Sequence, residues 1–97
     1  MTGIGQKIKE LRTERDLTMD MMVMDINQRF NLTKPLNKSM VSKWESGINE
    51  PSLDNAKLIS LYFDVSIDYL IGLTDVRTPS RLQAYARKIT EGKKNEL

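Results

Sequence analysis

The sequence predicts an all-α fold in a single small domain. Apolar residues recur three and four positions apart along most of the chain, as on a helix with one buried face, and no stretch reads convincingly as a strand. Polar capping residues and glycines mark where these helical segments begin and end. A chain of 97 residues has room for one core of modest size. We therefore expect five helices, with a candidate sixth helix near the carboxyl terminus.

The first two helices are predicted from their apolar spacing. Helix 1 should run from about Gly5 to Arg15, with an inward face made of Ile4, Ile8 and Leu11. Thr18 is a suitable cap for helix 2, because its hydroxyl can accept from unpaired backbone N–H groups, and Asp20 suits the first turn. The inward face of helix 2 should consist of Met22, Val23, Ile26 and Phe30.

The segment from Asn37 to Gly47 is the most informative part of the chain. It should form helix 3, which Asn37 caps and Gly47 ends. Val41 and Trp44 share one face, and the rest of the surface carries Lys38, Ser39, Ser42 and Lys43. Such a helix can bury one edge and present hydrogen-bond donors from the other, which suits a DNA major groove. The competing interpretation is an ordinary amphipathic helix with two lysines and a buried tryptophan.

Helices 4 and 5 are predicted from their caps and apolar faces. Pro51 and Ser52 should start helix 4, whose inward face should consist of Leu53, Ala56, Ile59 and Phe63. This choice of face leaves Leu58 and Leu61 pointing outward or sideways. Ser66 should cap helix 5, and Gly72 should end it.

A candidate sixth helix follows a loop that contains Pro79. It should run from Ser80 to about Ile89, with an apolar stripe made of Leu82, Tyr85, Ala86 and Ile89. We expect this stripe to pack over helices 4 and 5, where Leu58 and Leu61 would be covered, or to exchange with a second copy in a dimer.

Three blocks of sequence resemble a known family of regulators. They are VSKWESG at 41–47, EPSL at 50–53 and FDVSIDYLIG at 63–72. In order, and nearly in spacing, they resemble the lambda-repressor-like helix-turn-helix family, the Cro/cI-type or XRE-type regulators, whose pattern is S-x-W-E-x-G, E-P-S-L and F-x-V-S-x-D-Y-L-x-G. The resemblance covers roughly residues 4–73. It implies a five-helix DNA-binding domain over residues 1–75, with a linker and C-terminal helix or tail over 76–97.

The same resemblance implies which side chains meet DNA. Four of them match positions that read base edges, namely Lys38, Ser39, Met40 and Lys43. Asn37 matches a capping position near the backbone, and Ser46 with its neighbour Asn49 matches the loop that grips phosphate. Each lysine could instead contact phosphate alone, which binds DNA without reading its sequence. Trp44 matches a core position rather than a base-stacking one.

One departure from the family pattern concerns Met19. Family members commonly place a phosphate-contacting glutamine there, and a thioether makes no strong hydrogen bond. We expect that contact to be missing, or to be made by Thr18 or by backbone N–H groups at the start of helix 2.

A second departure is the long connection between helices 2 and 3, from Asn27 to Leu36. The short form of this turn has about three or four residues. Helix 2 should continue to Arg29 or Phe30, and a loop should end at Pro35, with Leu36 entering the core. Lys34 and Arg29 should then lie near the DNA backbone. The longer connection leaves open the angle at which helix 3 meets DNA.

The net charge of +2 is divided unevenly along the chain. Residues 1–45 carry +2, residues 46–75 carry −4 and residues 76–97 carry +4. Phosphate contact needs a local basic face rather than a basic whole, so this division is compatible with DNA binding. A solvated surface with segregated charges is the alternative, above all for the tail.

The residues that the chain lacks disfavour other functions. Cysteine and histidine are absent, so we expect no disulfide, no metal, no cofactor and no catalytic residues, and hence no enzyme. No apolar run approaches the ~20 residues of a membrane span, and no signal peptide opens the chain, so we expect a cytoplasmic protein.

The sequence thus predicts a sequence-specific regulator, a repressor that binds a two-fold operator on double-stranded DNA as a homodimer. Helix 37–46 would lie in the major groove. The alternative is a protein-interaction module or antitoxin that uses the same fold to bind a partner protein. Only the methionines of helix 2 and the outward leucines of helix 4 support that alternative.

Overall fold

The computed structural model describes residues 3–77, which form five helices. They are α1 (Ile4–Glu14), α2 (Met19–Phe30), α3 (Lys38–Ser46), α4 (Leu53–Phe63) and α5 (Ile67–Leu70), and no strand occurs among these residues. The predicted all-α, five-helix fold is confirmed, with helix ends within about two residues of those expected. The candidate sixth helix, Ser80 to Ile89, lies outside the described residues.

Side-chain caps define where four of these helices begin. Each capping oxygen accepts the backbone N–H three residues further on, at distances of 2.9 to 3.2 Å, and the caps are Thr18, Asn37, Ser52 and Ser66. The three predicted caps are therefore confirmed, and Ser52 caps α4 rather than belonging to it. At the other end of α3, Gly47 adopts a φ of +81°, which a glycine tolerates without steric strain.

The core is built from one face of each helix. Predicted inward residues are buried in α1, α2 and α3, including Ile8, Leu11, Met22, Ile26, Val41 and Trp44. Ile4, Val23 and Phe30 are partly buried and pack against this core, and so does Met19. The helical spacing of apolar residues therefore identified the inward faces of the first three helices.

The predicted inward face of α4 was partly wrong. Ala56, Ile59 and Phe63 are buried as expected, but Leu53 is 65% exposed and Leu58 only 9%. Leu53 is the first residue of α4, beyond the reach of the core, whereas Leu58 belongs to the core cluster. The buried face of α4 is broader than a single stripe, because Ser60 and Tyr62 are buried as well.

Two contacts hold α1 close against α3. A Cβ on Gly5 would clash with the carbonyl oxygen of Trp44, so the helices approach at this point more closely than a side chain permits. Further along, Arg12 donates from Nε and Nη2 to the two carboxylate oxygens of Glu45, at 2.7 and 2.9 Å. Both side chains are largely buried, and Arg12 also donates from Nη1 to the carbonyl of Leu17 at 2.7 Å.

The long connection between α2 and α3 follows the predicted path. α2 ends at Phe30, and Asn31 follows with a φ of 47°, a left-handed conformation that asparagine adopts more readily than most residues. Leu36 is buried in the core, as expected. Its backbone N–H and carbonyl are both hydrogen-bonded to the side chain of Asn27.

Two further interactions involve the end of α4 and the chain after α5. Arg15 donates to the carbonyls of Tyr62 and Phe63 at 3.3 and 3.1 Å, which satisfies groups at the carboxyl end of α4. Arg77 forms an exposed two-bond ion pair with Glu14 on α1. Within residues 3–77, no helix has the length and apolar character needed to cross a membrane.

Candidate nucleic-acid interface

The two faces of α3 differ sharply. Val41 and Trp44 are buried, while Lys38, Ser39, Ser42 and Lys43 are exposed. Met40 is partly buried and packs against the edge of the core. Since Gly5 and the Arg12–Glu45 pair hold the buried face against α1, the polar face is turned to solvent on a fixed support.

An open groove lies beside this polar face. Its walls come from α3, from the loop that follows α3 and from the start of α4, and they consist of Asn37, Ser39, Met40, Lys43, Trp44, Asn49, Glu50, Ser52 and Asn55. Five of the nine residues predicted to contact DNA are therefore brought together, namely Asn37, Ser39, Met40, Lys43 and Asn49. Three of the predicted base-reading residues and two of the predicted backbone residues thus lie along one surface.

The other four predicted residues do not line this groove. The ammonium of Lys38 lies 3.9 Å from the Asp20 carboxylate of α2, and both side chains are exposed. Exposed ion pairs of this kind are weak, so Lys38 can leave Asp20 at little cost. The hydroxyl of Thr18 accepts the Met21 N–H, and the hydroxyl of Ser46 donates to the carbonyl of Lys43 at 3.2 Å. Lys34 is exposed in the connection.

Met19 and Arg29 are both engaged within the fold. Met19 packs partly against the core, which is consistent with its being unable to hold phosphate. The Arg29 guanidinium lies 5.3 Å from the centre of the Tyr62 ring, within the range of a cation–π contact.

The residues that position α3 were missed by the sequence reasoning. Glu45 stands inside the VSKWESG block, and that block was the available signal, but its partner Arg12 lies 33 residues earlier. The Glu45 carboxylate raises the pKa of Arg12, chiefly through the hydrogen bond, so the guanidinium stays charged in this largely buried site. Asn27 and Gly5 carry no local signal, because their partners lie on other parts of the chain.

The described residues offer no arrangement for metal chemistry. Across residues 3–77, no group of three histidine, cysteine, aspartate or glutamate side chains is placed to hold a metal ion. The groove beside α3 is instead lined mainly by serine and amide side chains, together with Lys43, Glu50, Met40 and Trp44. The lysine, serine and amide groups suit hydrogen bonding to base edges and phosphates.

Comparison with known proteins agrees with this geometry. A family model described as helix-turn-helix matches residues 36–70, from the residue before the α3 cap to the end of α5. The resemblance to XRE-type helix-turn-helix regulators is thereby confirmed over this segment.

Two regulators are similar to this chain over most of its length. The HTH-type transcriptional activator BcrR of Enterococcus faecalis is 32% identical over 67 residues, which are 69% of this chain and 29% of that protein. The uncharacterized HTH-type transcriptional regulator YobD of Bacillus subtilis (strain 168) is 31% identical over 74 residues, 76% of this chain and 59% of that protein. The chain thus spans less than two thirds of either relative. No solved structure matches it significantly.

Proposed function

We propose that the protein is a sequence-specific transcriptional regulator that binds a two-fold operator as a homodimer, with α3 lying in the major groove. The observation that carries this proposal is the contrast between the two faces of α3. Val41 and Trp44 anchor the helix in the core, and its lysine and serine side chains are exposed to solvent. A groove-reading helix needs both a rigid support and exposed hydrogen-bonding groups.

Individual roles follow from the chemistry of the exposed side chains. In this proposal Lys38 and Lys43 donate to the guanine acceptors O6 and N7, and Ser39 bonds to either donors or acceptors. Met40, at the edge of the groove, lies against a thymine methyl group. Contacts to the sugar-phosphate backbone fall to Thr18, Lys34, Asn37, Ser46 and Asn49.

We propose that the regulator is a repressor. Residues 1–75 of each copy would occupy the operator and so reduce transcription. One relative is named a transcriptional activator, so a reporter gene that carries the operator is the direct test of the sign. Reporter expression should fall when the protein is supplied, and a rise would assign activation instead. Residues 76–97 act in this proposal as a linker with a C-terminal helix or tail. Action on chromosomal DNA further implies a cytoplasmic location.

The operator is best found by selecting bound fragments from random DNA. We expect a two-fold sequence whose half-sites lie about one helical turn apart, roughly 10 base pairs from centre to centre. Selected fragments without any shared sequence would contradict sequence-specific binding. A single half-site bound by one copy would contradict the dimer.

Lysine substitutions on the selected operator then separate reading from simple attachment. Lys38→Ala or Lys43→Ala should reduce discrimination between operator and scrambled DNA if the lysine reads a base, and weaken both duplexes equally if it contacts phosphate. Lys57→Ala is the matched control, because Lys57 is exposed on α4 and does not line the groove. If neither α3 lysine affects binding, α3 is not the recognition helix.

A further inference from the structure

The connection between α2 and α3 ends on two hydrogen bonds to one residue. Asn27, on α2, donates from Nδ2 to the carbonyl oxygen of Leu36 at 2.9 Å and accepts the Leu36 N–H on Oδ1 at 2.8 Å. Leu36 is separated from the first residue of α3 only by the cap, Asn37. Because both bonds meet the backbone of a single residue, they define its direction as well as its distance from α2.

Little else orients the chain at this point. In the described part of the structure, residues 32–36 make no backbone-to-backbone hydrogen bond, and Pro35 has no N–H to donate. The buried side chain of Leu36 sets how deeply the chain enters the core. Apolar burial is not directional, however, so it does not by itself fix the orientation of the backbone. The two bonds from Asn27 supply that orientation.

We propose that Asn27 is a positioning residue for DNA recognition, whose two hydrogen bonds to Leu36 set the angle at which α3 is presented to the major groove. The inference rests on the proposed function, in which α3 reads base edges. Gly5 and the Arg12–Glu45 pair hold the carboxyl end of α3 against α1, so a change at Leu36 tilts the helix about that end and displaces Lys38 and Ser39 most. Base-edge hydrogen bonds tolerate errors of only about 0.5 Å or 10–20°. Such a displacement therefore weakens discrimination between base sequences before it weakens the general affinity for DNA.

Two variants of Asn27 test the proposal. Asn27→Ala removes both bonds. Asn27→Asp keeps the acceptor for the Leu36 N–H but places a carboxylate oxygen opposite the Leu36 carbonyl, so it retains one of the two bonds. It takes the place of Asn27→Ala if the alanine variant does not fold. The matched control is Tyr62→Phe, which removes the 2.7 Å bond from Tyr62 to Asp25 and thereby one α2–α4 tie. Asp25 lies two positions before Asn27, and its bond does not reach α3.

The first measurement is independent of DNA. Since the chain contains no cysteine, Met24→Cys on α2 and Ser42→Cys on α3 provide two unique, exposed sites for spin labels. Distances between the labels should form a narrow distribution in the otherwise unchanged protein and in Tyr62→Phe. Both Asn27 variants should shift or broaden that distribution, at temperatures where circular dichroism shows them folded.

The second measurement compares affinities for the selected operator and for a scrambled duplex of equal length. Asn27→Ala should lower the ratio of the two affinities roughly tenfold or more, about the effect of one mismatched base pair, while affinity for the scrambled duplex stays the same. Tyr62→Phe should keep the ratio of the unsubstituted protein. The ratio of the two affinities therefore distinguishes a change in the orientation of α3 from a general loss of stability.

The combined outcomes decide between the two proposals. Changed label distances with a reduced ratio support the positioning role. Unchanged distances in both Asn27 variants overturn it, whatever happens to the ratio. If the label distances change but even the unsubstituted protein shows no preference between operator and scrambled DNA, Asn27 still orients α3. That outcome contradicts the proposed DNA-reading function instead.

Discussion

Tyr62 shows how one side chain links two helices. Its hydroxyl donates to Asp25 on α2 at 2.7 Å, while its ring is buried and packs edge-on against Phe63, with ring centres 4.8 Å apart. Burial, followed by the hydrogen bond to Asp25, raises the pKa of Tyr62 to about 12. The folded protein therefore holds the phenolic proton more tightly than the unfolded chain does.

This raised pKa predicts a stability loss confined to alkaline pH. Between pH 10 and about 12, the unfolded chain has released the Tyr62 proton while the folded protein retains it, so rising pH favours unfolding. Below pH 10 the contribution is fully present. The measurement is the free energy of unfolding of the unsubstituted protein minus that of Tyr62→Phe, followed across this range. The difference should shrink as pH rises, and a constant difference would contradict the assignment.

The Arg12–Glu45 ion pair is buried, whereas the Arg77–Glu14 pair is exposed, and the two differ in what they contribute to the fold. The side chains are only 12% and 4% exposed, whereas those of Arg77 and Glu14 are 45% and 48% exposed. A buried pair gains little net stability, because both charges lose their hydration, but it penalises any arrangement that separates the partners. We interpret the Arg12–Glu45 pair as a device that holds α3 in one register against α1.

At the scale of whole elements, α1 approaches α3 more closely than a side chain would permit. The first turn of α1 meets the carboxyl end of α3, where Gly5 faces the backbone of Trp44 and Glu45. Glycine is required there by contact between backbones rather than by a turn, since Gly5 lies inside a helix. The helix that we propose to read DNA is thus supported directly by the amino-terminal helix.

Alanine at Gly5 should therefore be strongly destabilising. Its Cβ would overlap the Trp44 carbonyl and stand 3.2 Å from the Cα of Glu45, so α1 and α3 must separate. Overpacking of this kind costs about 1–3 kcal/mol, or more where backbone must move. Gly3→Ala is the matched control, because a Cβ on Gly3 meets nothing within 4 Å. Thermal melting of the two variants is the test, and equal melting temperatures would refute the close approach.

For the whole molecule, charge is segregated along the chain, and the polar groove lies where the segments of opposite charge meet. α3 carries two lysines, and the first carboxylate of the acidic segment 46–75 is Glu50, in the loop that closes the groove. Glu50 lines that groove beside Asn49, so the walls differ in charge. Attraction to DNA should therefore come from the α3 side and from Lys34, rather than from α4 or α5.

Salt dependence of DNA binding should report this division. Affinity should fall with salt, with a logarithmic slope near −0.9 for each phosphate neutralised. If Lys34 contacts phosphate, Lys34→Ala should reduce the magnitude of the slope by about one per site, and so by about two for a homodimer on both half-sites. Lys57→Ala, on the acidic side, should leave the slope unchanged. A slope that does not respond to Lys34→Ala would remove Lys34 from the backbone contacts.

The predicted packing of a sixth helix over helices 4 and 5 lost part of its basis. The expected cover over helices 4 and 5 relied on Leu58 and Leu61 as an outward stripe, but Leu58 is buried and only Leu61 is half exposed. The predicted covering residues, Leu82, Tyr85, Ala86 and Ile89, lie outside the described residues. The original stripe therefore no longer supports that arrangement.

Local chemistry by itself determined the helices of this protein. Caps such as Thr18 and Asn37 act within one turn, so their effect is visible in a few consecutive residues. The period of apolar residues likewise identified Val41 and Trp44 as the anchored face of α3, and the VSKWESG block pointed to the family. The DNA contacts assigned to the opposite face remain predictions.

Tertiary structure decided how α3 is held and which face of α4 is buried. Gly5, Arg12 and Asn27 act on partners in other elements, and no short stretch of sequence records those pairings. Leu58 and Leu53 were assigned to the wrong sides, because burial on α4 depends on which neighbours surround it. The physical reason is the range of the interactions. Capping and periodicity act over a turn of helix, whereas the orientation of α3 is set by contacts between segments that meet only in the folded chain.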